Sequence, residues 1–225
     1  MGSGTATTSL SFLPQNEPPP NPDAYLGSSS IIDLDHPSIQ ELAQKLSSSV
    51  SKKGDMSQHD IIKNCFEYVR DEIKHSWDYS NENPTVTCKA SDVLKHRTGY
   101  CYSKSHLLAA LLRANNIPTG LCYQRLTIAD DDDSPPYCLH GLNAVYIDTK
   151  EFSGWYRIDP RGLKPTIQYA DFTPPIEALA FPIRPEIGEL DIPEIYVEPM
   201  PLVVKSLMQA KTWKDVADNL PDIEV

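Results

Sequence analysis

Between Ser57 and Ile73 the apolar residues Ile61, Ile62, Cys65, Phe66, Val69 and Ile73 recur at three- and four-residue intervals. That spacing predicts a helix with one apolar stripe, opened by Ser57. Upstream, "SIQELAQKL" predicts another helix, starting near His36-Pro37 with Asp35 as its N-cap and Pro37 near the first position. Ser91 reads as the N-cap of a short helix, "DVLKHR". Next, Leu107, Leu108, Leu111 and Leu112, with Ala109, Ala110 and Ala114 between and after them, predict a helix beginning at or beside Cys101. It stops at "NNIP", because Pro118 cannot extend it.

Beyond Pro118 the period changes. "GLCYQRLTIA", "LHGLNAVYID" and "GWYRID" are rich in β-branched and aromatic residues, and turn-like segments separate them. The second and third are joined through a short loop at Ser153-Gly154, which predicts a hairpin. The proline-rich remainder holds one predicted late helix, about Lys205 to Asn219, and reads as a wrap over the domain. Helices followed by antiparallel strands define an α+β fold. Residues 1–30, with "LPQNEPPPNP", read as an extended arm. Residues 31–225 then form a single domain, with a core at about 55–162 and a wrap at 163–225.

The chemistry gathers in the core. A cysteine nucleophile needs a base for its proton and a group to orient that base. Cys101 stands at a helix start, where unpaired N–H groups and the helix dipole favour negative sulfur. His140 lies on one predicted strand, and Asp159 ends the next. If the two strands pair as a hairpin, the carboxylate can fix the imidazole tautomer.

The segments "ASDVLKHRTGYCYSKSHLLAALLRANNIPT", "HGLNAVY" and "GWYRIDPRG" resemble the transglutaminase-like superfamily. That family's pattern is Gly-x-Cys before an apolar helix, a Gly-Ile-Pro-like turn, then His-Ala-Trp-x-x-Val-Tyr and Gly-Trp-x-x-x-Asp. Gly99, Cys101, Ile117-Pro118, His140, Val145-Tyr146, Gly154-Trp155 and Asp159 match it. Over about residues 55–162, the resemblance implies a papain-like core with Cys101 as nucleophile, His140 as base and acid, and Asp159 as orienter. It further implies chemistry through a thioester on Cys101: amide hydrolysis of a peptide, protein or small amide first, acyl transfer to an amine second, and a binding module without catalysis third. Trp77, in "HSWDYS" upstream of the cysteine, is the candidate for a second oxyanion donor or cleft wall. Two positions depart from the pattern. Gly141-Leu142 stands where a small residue and an aromatic are usual, which predicts a different wall beside the histidine. Asn116 replaces the turn glycine.

Composition narrows the partners. A net charge of −11 disfavours nucleic acid and anionic membranes and would assist a cationic substrate. No apolar run is long enough to span a membrane, and the first residues lack a secretory pattern. Five cysteines without a CxxC pair predict reduced thiols and a cytoplasmic location. Cys138-x-His140 is too small a set for a metal, and no cofactor is expected. His106 reads as a packing or surface residue, and His36, His59 and His96 as cap or surface groups. The acidic run Asp130 to Asp133 is a loop tip able to steer a cationic ligand, or only a solvated turn.

Overall fold

The computed structural model describes residues 20–48, 57–128, 136–150, 152–162 and 170–223. The acidic run Asp130 to Asp133 and the first part of the proline-rich arm lie outside them. Three helices, α1 (Pro37–Ser48), α2 (Gln58–Glu72) and α3 (Ala90–His96), surround a fourth, α4 (Cys101–Ala114). Two short strands, β1 (Lys74–His75) and β2 (Thr98–Gly99), pair in parallel just before α4. The main sheet contains β3 (Thr119–Thr127), β4 (Tyr137–Asp148), β5 (Ser153–Ile158) and β6 (Leu190–Asp191) in the antiparallel order β5-β4-β3-β6. Two late helices follow, α5 (Pro201–Gln209) and α6 (Trp213–Asp218).

Helix α4 is buried from Cys101 through Arg113, because other elements cover it on every side. Leu121, Leu139, Val145, Ile147, Tyr156 and Ile158 belong to the same apolar cluster as its leucines. Leu142, Ala144, Cys122 and Trp155 form a second cluster with Tyr25 and Ile195. Both faces of β3 and β4 are thus covered over most of their length. The two cations on α4 are buried and satisfied by carbonyls. Lys104 Nζ donates to the Arg70 and Ile73 oxygens at the end of α2, at 3.2 and 2.5 Å. Arg113 donates to Thr119, Gly27 and Val197, joining β3 to both flanking segments of the chain.

Several local expectations change in the tertiary setting. Ser57 does cap α2, accepting the Asp60 N–H at 3.2 Å. At α1 the His36 imidazole, rather than Asp35, takes the first-turn N–H of Ser38 at 3.3 Å. Helix α3 starts one residue before Ser91, and Asp33 caps it from a distant turn by accepting the Ser91 N–H at 3.0 Å. The single late helix is two helices, since Thr212 and Asp215 build a capping box that starts α6 afresh. Residues 20–30 are not an extended arm. Pro22–Leu26 make a 3₁₀ turn that seats Tyr25 edge-to-face on Trp155, 4.8 Å between centroids, with its hydroxyl on the Ile195 carbonyl.

Replacing Arg113 with Met keeps the stem but removes its hydrogen bonds to three carbonyls, the one on Thr119 buried. Stability in urea should fall by about 3 kcal/mol. A loss below about 1 kcal/mol would show that these contacts do not fasten the flanks.

Candidate active site

Strand β2 delivers the chain directly into α4. A Cβ on Gly99 would stand 2.4 Å from the Ser103 hydroxyl oxygen, so the glycine of Gly-x-Cys reflects close approach to the first turn of the helix. Tyr100 occupies the N-cap position without a side-chain cap, so the first-turn N–H dipoles are left for the group beside them, Cys101.

The histidine arrives from β4. The Tyr102 hydroxyl donates to the Leu139 carbonyl, and the Gly141 N–H donates to Cys101 Sγ at 3.5 Å. These two contacts clamp the strand to the helix start on either side of His140. A Cβ at Gly141 would meet Tyr102 Cδ1 at 2.9 Å and Tyr102 Cα at 3.1 Å. Neither Gly141 nor Leu142 lines the cavity at the sulfur. The departure from the family pattern therefore concerns strand–helix contact rather than a cleft wall, which corrects the sequence expectation.

The β4–β5 register sets Asn143 opposite Ile158, so Asp159 emerges beside His140. His140 Nε2 lies 2.8 Å from Asp159 Oδ2, and both residues are buried. With Nε2 engaged by the carboxylate, Nδ1 is left for the sulfur. Burial disfavours the charged imidazole, but the Asp159 carboxylate and the Cys101 sulfur outweigh it and lift His140 well above its ordinary value. Burial likewise opposes Asp159 ionisation. The imidazolium and the N–H groups of Arg161 and Ala180, at 3.0 and 3.1 Å, overcome it and hold the carboxyl below its ordinary range.

Sequence reasoning overlooked several residues here. Ala180 and Phe181 come from the wrap; the Phe181 ring lies edge-on to His140 at 5.0 Å between centroids. Arg161, in the "DPRG" run after Asp159, makes a two-pronged ion pair with Asp78 at 2.5 and 2.9 Å. The "DPRG" run itself was a visible signal; nothing in the sequence tied Ala180, Phe181 or Asp78 to the site.

A cavity of about 100 Å³ opens at the sulfur, lined by Trp77, Tyr100, Leu126, Ile128, Cys138, Leu139, His140, Arg161, Phe181 and Leu220 among others. Trp77 stands at this cavity and is 38% exposed. Cys138 shares the cavity, with its thiol pushed up to about 12 by burial. Among the described residues no cluster of three or more His, Cys, Asp or Glu could hold a metal ion. His106 is a packing residue: it is buried, its Nδ1 is 2.8 Å from the Cys88 carbonyl, and burial pushes it down to about 4. His59 packs on Phe172, and His96 is exposed at the end of α3.

Residues 41–160 match the family model of the transglutaminase-like superfamily. The chain belongs to that superfamily. Its members are usually cysteine-dependent enzymes. The match contains Cys101, His140 and Asp159 and ends before Arg161, Phe181 and Leu220. No curated protein matches the sequence. Similar solved structures include a candidate cysteine protease from Cytophaga hutchinsonii, 19% identical with a TM-score of 0.45, where the overlap covers 61% of this chain and 40% of that one. The periplasmic domain of TgpA from Pseudomonas aeruginosa is 18% identical (TM-score 0.41; 63% and 48% covered). Red sea bream transglutaminase is 13% identical (TM-score 0.41; 57% and 26% covered). The chain spans less than half the length of each. Among the described residues no helix is long and apolar enough to cross a membrane.

Gly141→Ala should force β4 away from the first turn of α4, because Tyr102 is held at both backbone and hydroxyl. The expected outcome is a stability loss of about 1–3 kcal/mol and slower reaction at Cys101. Unchanged unfolding and alkylation rates would exclude the clamp.

Proposed function

We propose that the protein is a cysteine hydrolase that cleaves an amide bond, in a peptide, a protein or a small molecule, through a thioester on Cys101. The observation that carries this reading is the buried His140–Asp159 pair, 2.8 Å apart, beside a cysteine at an uncapped helix start. In this scheme His140 takes the thiol proton and the sulfur attacks the amide carbonyl. The Cys101 N–H, with the Trp77 indole N–H as second donor, receives the developing oxyanion. The imidazolium protonates the leaving amine, and the C–N bond breaks to leave the thioester. Water then attacks, giving its proton to His140, and the acid departs as Cys101 is restored. Asp159 orients the ring and favours the imidazolium. The five cysteines are free thiols, which suits the cytoplasmic location included in this proposal.

Cys101→Ala and His140→Ala should each remove essentially all turnover, while Asp159→Asn should leave a residue of it. The alkaline limb of kcat/KM reports loss of the imidazolium proton. It should lie above the ordinary histidine range in the wild type and move to lower pH in Asp159→Asn, where the negative partner is gone. Turnover by Cys101→Ala equal to wild type would eliminate the thioester route.

Acyl transfer uses the same thioester and differs only in the final nucleophile. Incubation with a glutamine peptide and a labelled primary amine should release ammonia and acid without incorporating label. Label incorporation exceeding hydrolysis would assign the protein to amine transfer instead.

A further inference from the structure

The family match ends at residue 160, yet the cavity at Cys101 is lined in part by side chains from far beyond it. Phe181 flanks the histidine ring, and Leu220 comes from the segment after α6. That segment is fastened at the site. The Leu139 N–H, one residue before His140, donates to the Pro221 carbonyl at 2.7 Å. Asp222 accepts two hydrogen bonds from Arg125, at 2.7 and 2.8 Å, and the same guanidinium lies 3.9 Å over the Tyr137 ring. Leu220 is thereby held as part of the cavity rather than left on a loose end.

The lining also has a definite chemistry. Trp77, Leu126, Ile128, Leu139, Phe181 and Leu220 present apolar surface. Among the described lining residues Arg161 and the His140 imidazolium are cationic, and Asp78 already engages both terminal nitrogens of Arg161. Among the described lining residues there is no carboxylate, so an ammonium group would find no counter-ion among these side chains. A carboxylate would have to compete with Asp78 for Arg161. An apolar group only exchanges water for apolar contact, and each buried CH₂ is worth about 0.8 kcal/mol, roughly fourfold in affinity. The space of about 100 Å³ at the sulfur favours a group of a few carbons over a large ring system.

We infer that the segment after α6 sets the specificity of this site, with Leu220 closing the cavity so that it accepts a compact, uncharged apolar group on the amide substrate next to the bond attacked. This rests on the proposed role of Cys101 as the reacting group. The net charge of the whole chain acts on the approach of a substrate over longer distances and leaves the choice of group in the cavity to these contacts.

The test reads the cavity without requiring turnover. The full chain is treated with limiting N-substituted iodoacetamides carrying methyl, isobutyl, 4-aminobutyl, 3-carboxypropyl or naphthylmethyl groups, and the rate at Cys101 is followed by peptide mass mapping. The sulfur displaces iodide in each case, so the reagents differ only in the appended group. Burial pushes Cys65, Cys88, Cys122 and Cys138 up to about 12, which suppresses their reaction at neutral pH. Isobutyl should exceed methyl by at least about tenfold and both charged reagents by a similar factor, with naphthylmethyl slow. Leu220→Ala should raise the naphthylmethyl-to-methyl ratio about fivefold or more. Leu220→Phe should lower the isobutyl-to-methyl ratio. A charged reagent as fast as isobutyl, or ratios unmoved by both Leu220 variants, would overturn the inference. The same proteins are assayed for amide turnover. The expected reagent order without turnover would overturn the hydrolase reading while supporting this one, and turnover with a flat order would do the reverse.

Discussion

The site depends on one contact, the docking of the first turn of α4 against the beginning of β4. Tyr102 binds the Leu139 carbonyl and Gly141 donates to the Cys101 sulfur, so a single strand residue, His140, is trapped between two anchors. The helix cannot rock to loosen this arrangement, because it is buried from its first residue to Arg113. Close-packed surroundings resist such displacement, since any shift opens voids on one side and overlaps on the other. The sulfur placed on such a helix inherits its rigidity, which is what the proposed role of Cys101 requires.

Charge within this rigid frame is arranged in a chain. The Arg161 and Ala180 N–H groups hold the Asp159 carboxylate, the carboxylate holds the imidazole, and the imidazole faces the sulfur. In this chain the carboxylate and the imidazolium lie within hydrogen-bond reach of each other, as do Arg161 and Asp78, and that proximity makes their burial tolerable. The guanidinium of Arg161 would otherwise compete for Asp159, but Asp78 occupies it. This leaves the carboxylate free to serve the histidine.

The chain beyond Asp159 belongs to the site as much as the superfamily core does. Its segments supply an edge strand to the sheet, an amide to the Asp159 carboxylate, a ring beside the histidine and a side chain at the cavity. Arg157 fastens this wrap to β5 through Glu177 and Asp191. Cys101, His140 and Asp159 thus lie in the core, while the cavity beside them is completed by residues distant in sequence.

Much of this is legible in the sequence. The apolar stripe from Ile61 to Ile73, the leucines after Cys101 and the β-rich runs after Pro118 carry the elements, because helical and extended periods are local properties of the chain. The order of Gly99, Cys101, His140 and Asp159 marked the candidate chemistry for the same reason: each residue sits at a recognisable local element. Asn116, with φ of 58°, adopts the left-handed turn that its side chain tolerates. What the sequence could not decide were pairings between groups far apart along it. Asp33 capping α3, Tyr25 entering the second core, Ala180 binding Asp159 and Leu220 closing the cavity each join residues separated by tens of positions or more. No local pattern encodes such contacts. They exist because the packed tertiary structure brings one polar group or apolar surface to another that burial would otherwise leave unsatisfied.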